Sequence, residues 1–237
     1  SDWANYMGEF VEDCVEGQQI YYTSTDSNIV TPYATDVFGA NIVSNIYENG
    51  VGTLTFDGPV TIVGDSAFHE CSTLTSITIP NGVTKIKRAF EKCTSLESVE
   101  LPDGITTIGS IAFHNCSSLR SIDIPNSVTY IGGWAFGASA IESLIIPSSV
   151  THIGVAAFTD CNSLRSIVVE DGNPKYDSRN NCNAIIETDT NTLIASSLNT
   201  IIPNTVTTIA TRAFQKSAIT SIDIPNSVVR IEAYAFR

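Results

Sequence analysis

Lysine and arginine are missing from the first 84 residues of this 237-residue chain, which hold 11 Asp or Glu; the first base is Lys85. The remainder is nearly neutral, with 14 acids against 12 bases, and the whole carries a formal charge of −13. Nucleic acid is not an expected partner, because phosphate contacts need clustered cations and supply most of the affinity. The one basic cluster, Lys85, Lys87, Arg88 and Lys92, is small. The acidic half has two readings, solubility or a patch for basic partners or calcium. No apolar run approaches the roughly 18 residues of a membrane-crossing helix, so no transmembrane segment is expected. Neither an initiator Met nor a signal peptide opens the chain at Ser1, which points to a processed segment whose targeting signal has been removed. The chain also lacks G-x-S-x-G, H-E-x-x-H, a P-loop and G-x-G-x-x-G. With no C-x-x-C, a zinc site is not expected either. These absences predict a protein without catalytic residues, cofactor or metal.

What the chain does have is a repeat, carried by a composition 43% hydrophobic. Ala-Phe recurs with Phe at positions 68, 90, 113, 136, 158, 214 and 236, in steps of 22, 23, 23, 22, 56 and 22 residues. Ile/Leu-Pro recurs at Pro80, Pro102, Pro125, Pro147, Pro203 and Pro225 with the same period and the same gap. Leu119, Ile122, Ile124, Pro125, Val128, Ile131, Gly132, Ala135 and Phe136 make up one unit. Its first half has the L-x-x-L-x-L spacing of a leucine-rich repeat. Alternation puts Ile122 and Ile124 on one face of a short strand, with Ser121 and Asp123 on the other. Pro125 cannot donate to a ladder and ends the strand. Val128 and Ile131 begin the return, Gly132 makes a turn where a side chain would clash, and Ala135 and Phe136 fill the interior. One unit cannot bury this set alone, so units must stack.

The runs SITIPNGVTKI, SIDIPNSVTYIGGWAF and SIDIPNSVVRIEAYAF resemble the BspA-type leucine-rich repeats of bacterial surface proteins, over about residues 53–237. The resemblance implies a cell-surface or secreted protein that adheres to host proteins or other cells. The expected fold is a curved, right-handed leucine-rich-repeat solenoid of the α/β class, built of short parallel strands with loops and short helical turns.

Residues 1–50 are not repeats and are expected to cap the open end of the stack, leaving 51–237 as the solenoid. Trp3, Tyr6, Met7, Phe10 and Cys14 have helical spacing after an Asp2 N-cap. Ile20–Val30 reads as a hairpin, and Thr53–Phe56 as the first rung. The stretched unit between Phe158 and Phe214 holds AIIE and TLIA around the polar TDTN, a hairpin insertion at about 170–200. It either bends and pads the coil or shapes a partner site. The chain ends mid-unit at Phe236 and Arg237, so little is expected to protect the last rung.

Four cysteines, Cys71, Cys93, Cys116 and Cys161, share one repeat position that Ser139 and Ser217 also take. A slot for small side chains suggests packing. Rungs about 4.8 Å apart would permit disulfides, but stacked Cβ vectors run parallel, so buried thiols are expected. His69, His114 and His152 are expected at the surface. Asp177, Asn180, Asn181 and Asn183 lack the Gly and closing Glu of a calcium loop. Ser76, Ser98, Ser121, Ser143, Ser166 and Ser221 form a column without a repeated His, which suggests hydroxyl ladders rather than nucleophiles. Beside it, outward strand positions vary. Glu97, Glu100, Arg120, Asp123, Glu142 and Arg165 are the candidate partner-binding residues on a concave sheet. Such variation suits a recognition surface and also any unconstrained surface. The expected function is a non-enzymatic adhesion module binding a host extracellular protein or glycan. The alternative is a spacer that displays another domain.

Overall fold

The computed structural model describes residues 17–237; the helix expected around Trp3–Cys14 lies outside them. The described chain is a stack of short rungs held by three ladders, each drawn from a different part of the unit. In the main ladder Leu74–Thr78 pairs in parallel with Ser98–Glu100, Ile77 opposite Val99, and Ser143–Ile146 pairs with Ser166–Val169, Leu144 opposite Ile167. In the second ladder Ile62–Val63, Lys85–Ile86, Thr107–Ile108, Tyr130–Ile131 and His152–Ile153 run in parallel, two residues per rung. The third ladder lies at the Ala-Phe turn. There the amides of Phe68, Phe90, Phe113, Phe136 and Phe214 donate to the Ala carbonyl of the next rung, as from Phe90 to Ala112 at 2.9 Å and from Phe113 to Ala135 at 2.7 Å.

The sequence markers each have a place in this geometry. The prolines end the main strands, yet their carbonyls still accept: Ile105 donates to Pro102 and Val128 to Pro125, at 3.1 and 3.0 Å. The residue before each Ala-Phe sits at positive φ in most units, including Ile111 at 62° and Trp134 at 59°. A β-branched residue there is strained, and the ladder on either side holds it. Gly132 stands, as expected, where a side chain would clash. Its φ is not positive; a Cβ there would run into the backbone of Gly109 and Ser110 on the neighbouring rung. The residue is small because rungs approach closely, not because the turn demands it. The repeat phenylalanines stack face to face, with ring centroids 5.3 Å apart from Phe68 to Phe90, 5.3 Å on to Phe113 and 5.5 Å on to Phe136. Leu119, Val128, Ile131, Ala135 and Phe136 are fully buried as the pattern requires.

Several expectations are corrected. Among the described residues the one helical element is the 3-10 turn Arg179–Asn181, so the helical part of an α/β class is not found among them; the short helical turns are hydrogen-bonded turns. Ile20–Val30 is not a hairpin. Strand β1 (Gln19–Ser24) lies between β3 (Val51–Phe56) and Leu74–Thr78, antiparallel to both. Strand β2 (Ile42–Glu48) is the hairpin partner of β3. Thr53–Phe56 therefore belongs to this antiparallel sheet and opens no rung. The sheet holds together because Gly52 leaves room for the Tyr22 ring, whose hydroxyl donates to Asn45 Oδ1 at 2.6 Å and accepts from the Val30 amide at 3.2 Å. The segment Ser121–Ile124, expected as a strand, forms no ladder strand, although Ile122 is buried.

The stretched unit contains an antiparallel pair, Ala184–Glu187 with Thr192–Ser196. Its two faces serve different cores. Ile185 and Ala195 join the large core that runs from Ile20 to Tyr176, while Ala184, Ile186 and Leu193 join a smaller one with Ile209 and Phe214. At the last rung Ile231 and Phe236 are 50% and 45% exposed, whereas Ile209 and Phe214 one rung earlier are buried.

Phe113, stacked on both sides and inaccessible to solvent, should be a stability anchor. Phe113→Ala is expected to cost about 3–5 kcal/mol through lost transfer energy and a cavity. Because rungs touch only neighbours, hydrogen exchange should quicken most in the rungs of Phe90 and Phe136. A uniform rise along the chain would contradict the stacked description.

Candidate binding face

The outward side of the main ladder presents the charged columns. Glu97, Glu100, Arg120, Asp123, Glu142 and Arg165 are all exposed. The structure brings two of them into an ion pair, Arg120 to Glu142 at 2.8 Å. Both groups are more than half exposed, so this pair contributes little to stability. The Glu100 carboxylate accepts from Thr78 Oγ1 at 3.1 Å. Glu97, Asp123 and Arg165 have no ion-pair partner among the described residues. Toward the C-terminus the column of Asp123 turns apolar, with Ile145 61% and Val168 42% exposed.

Glu100, Asp103 and Asp123 line an opening of about 430 Å³ that spans three rungs, together with Thr78, Ser98 and Ile124. A second opening of about 420 Å³, lined by Ile201, Asn204, Ser221 and Asp223, lies between the last two rungs. Sequence reasoning missed both openings and the part Asp103 takes. The available signal was the identical octapeptide SIDIPNSV at 121–128 and 221–228.

The other candidate residues have structural work. Cysteine Sγ–H groups reach back to the Phe carbonyl of the preceding rung: Cys93 to Phe68 at 2.9 Å, Cys116 to Phe90 at 3.2 Å and Cys161 to Phe136 at 3.1 Å. Cys71 instead points at the Thr31 carbonyl, at 3.5 Å. Ser fits the same slot by size with other partners: the Ser139 hydroxyl bonds with Cys161 Sγ at 3.5 Å and the Ser217 hydroxyl accepts from the Ile219 amide at 3.3 Å. All five described cysteines are free, though Cys71 and Cys161 are partly exposed rather than buried. Burial pushes the thiols up, to about 11 for Cys71, about 12 for Cys116 and about 11 for Cys161.

His69 and His114 are not surface residues. His69 has Tyr33 edge-on at 5.4 Å and Nδ1 3.2 Å from the buried Glu91 carboxylate. His114 sits over Gly137, edge-on to Trp134 at 5.7 Å. Burial alone would raise the Glu91 carboxyl; hydrogen bonds from Arg88, 2.6 Å away, together with its charge and the two imidazoles, hold it below the usual range. In the basic cluster Lys87 and Lys92 are likewise paired, with Asp65 and Glu70. Asp177 is clasped by Arg179, and among the described residues no three His, Cys, Asp or Glu form a metal-holding group. The serine column makes no hydroxyl ladder: Ser76 bonds to Thr23, and no Ser of the column bonds to the next.

The family model for BspA type leucine rich repeat regions matches in six copies, over residues 40–165, 87–196 and 181–237. The chain belongs to the BspA-type leucine-rich repeat family. Among solved structures the BspA-type chain is similar to a leucine rich cell surface protein from Faecalibacterium prausnitzii, at 31% identity and TM-score 0.56, over 73% of this chain and 54% of that one. It shares its fold with a leucine-rich repeat protein from Eubacterium ventriosum, at 22% identity and TM-score 0.63, over 76% and 49% of the two chains. The pneumococcal vaccine antigen PcpA is similar at 23% identity and TM-score 0.59, over 82% and 56%. The BspA-type chain thus spans about half the length of the structures it matches. No curated protein matches it. Among the described residues no helix is long and apolar enough to cross a membrane.

The raised thiols of this BspA-type stack should be inert in the native state. In a Cys14→Ser background, a thiol reagent at pH 8 meets on the order of one thiolate in a thousand or fewer per site. Labelling should be slow when folded and should reach all five cysteines on denaturation. A Cys93–Cys116 bridge found by mass spectrometry would overturn this.

Proposed function

We propose that the chain is a non-enzymatic binding or adhesion module of a bacterial cell-surface or secreted protein. In this reading it recognises a host extracellular protein or glycan through the outward face of the main ladder. The observation that carries the proposal is charge left free on a rigid frame. Glu97, Asp123 and Arg165 stand exposed without ion pairs, while the cations of the basic cluster are largely engaged. Rigid surfaces bind well because little ordering entropy is lost on association. The cell-surface description of the Faecalibacterium relative supports the extracellular location. In this reading the cap runs past residue 50 to the end of β3 at Phe56, the solenoid follows it, and the antiparallel strands β1 to β3 seal the first rung. The coil is read as right-handed, with the main ladder on its concave side, from the general rule for parallel crossovers. The binding site comprises Glu97, Glu100, Arg120, Asp123, Glu142 and Arg165.

Glu97→Lys with Asp123→Lys tests the face. Both residues are exposed, so the melting temperature should stay nearly unchanged. On an array of matrix proteins and glycans, the ligands of the parent chain should bind the double variant more weakly, through slower association at low salt. Undiminished binding would move the site elsewhere; an array with no ligand at all would favour a spacer.

A further inference from the structure

Of the interruptions of the main ladder, two match and each borders an opening; the gap between Ser121–Ile124 and Ser143–Ile146 borders neither opening. Between Ser98–Glu100 and Ser121–Ile124 no backbone hydrogen bond forms in the main ladder. The same two rungs remain joined elsewhere, through Thr107 opposite Tyr130 and through the Phe113 amide on Ala135 at 2.7 Å. The rungs therefore part on one side as a wedge. Near the C-terminus the pattern repeats. Residues 200–202 and 221–224 share no main-ladder bond, while Thr208 stays opposite Arg230 and the Phe214 amide reaches Ala235 at 2.7 Å. The first wedge borders an opening of about 430 Å³ that also reaches Ser76–Thr78, and the second borders one of about 420 Å³, within the range of small-ligand clefts, roughly 300–1,000 Å³. One wall of each is the same octapeptide, SIDIPNSV.

Each wall carries unspent main-chain donors. On the side facing the wedge, the amides of Ser121 and Asp123 donate to no protein group, and neither do those of Ser221 and Asp223. A free strand edge of this kind is a template for another chain. What completes it is a row of carbonyl acceptors at strand spacing, which an extended peptide supplies. Charge then selects among peptides. Glu100, Asp103 and Asp123 line the first wedge and Asp223 the second, with no cation lining either opening.

We infer that the two wedges are twin sites for an extended, lysine- or arginine-bearing peptide segment of a partner protein, which adds to each free edge as a strand. The inference rests on the outward main-ladder face being the binding surface, and it names what that surface takes. The main-chain bonds hold the segment, and its alternate side chains meet the carboxylates.

The probe is an acetylated, amidated peptide of alternating lysine and valine, titrated calorimetrically into the full chain. Two equivalents should bind. The same peptide methylated at every backbone nitrogen keeps its charge but cannot pair through either edge, and should bind at least tenfold more weakly. Asp123→Pro and Asp223→Pro each delete one free amide, and each should remove one equivalent. Circular dichroism melts check that these variants fold; Asp123→Asn and Asp223→Asn, which keep the amide, should weaken one site each several-fold. Equal binding of the methylated peptide, no binding of the parent peptide, or two unaltered sites in both Asn variants would each overturn the proposal. If the peptide fails while Glu97→Lys with Asp123→Lys still abolishes array binding, the wedge proposal falls and the binding-face reading stands. If array binding is indifferent to that double variant, the broader reading falls with it.

Discussion

A unit of 22 or 23 residues contributes one short strand, one two-residue strand and one turn, and none of these can bury its apolar side alone. Everything else follows from the need for the next rung to sit in register, about 4.8 Å away. Phe90 illustrates the dependence. Its ring is stacked between Phe68 and Phe113, its amide is held by Ala112 and its carbonyl is capped by the Cys116 thiol. Three successive units meet at this one residue. The Cys slot, the close approach at Gly132 and the positive φ of Ile111 all serve the same spacing.

That dependence also decides what was legible in the residues. The stacked core was visible because Leu119, Val128, Ile131, Ala135 and Phe136 recur at fixed intervals and a recurrence can be counted. The thiol bonds were not, because Cys93 meets Phe68 across 25 positions and the spacing shows a small side chain without its donor role. His69 and His114 looked like variable surface residues. Stacking places the Glu91 carboxylate within reach of both imidazoles, a relation that runs across the repeat and is invisible along it. At the N-terminal end the reading failed for the opposite reason. β1 to β3 carry no repeat, and β1 pairs with strands on both sides of it that lie far along the chain.

The candidate face was legible in part. The outward columns follow from strand alternation, and all six charged residues are exposed. Among the six, Arg120 with Glu142 is the one ion pair that forms. Glu97 and Arg120 sit on opposite sides of the first wedge, where the rungs part. They form no ion pair, and the cleft keeps both charges apart from each other. In a fold whose rungs are otherwise interchangeable, such an interruption gives one rung a chemistry its neighbours lack.

The hairpin of the stretched unit has a mechanical consequence. With Ile185 and Ala195 facing one core and Ile186 and Leu193 the other, it is a partition wall. The two compartments are unequal, and around the wall they are also joined by the Lys216 to Asp160 pair at 3.3 Å and by Thr159 on the Gln215 carbonyl at 3.1 Å. A chain pulled from both ends yields first where fewest side chains must be exposed. Under tension the smaller C-terminal compartment would lengthen before the larger one, and the wall would stop the tear from running on. Extension would proceed in two stages, with the outward charges of the larger compartment still in place after the first.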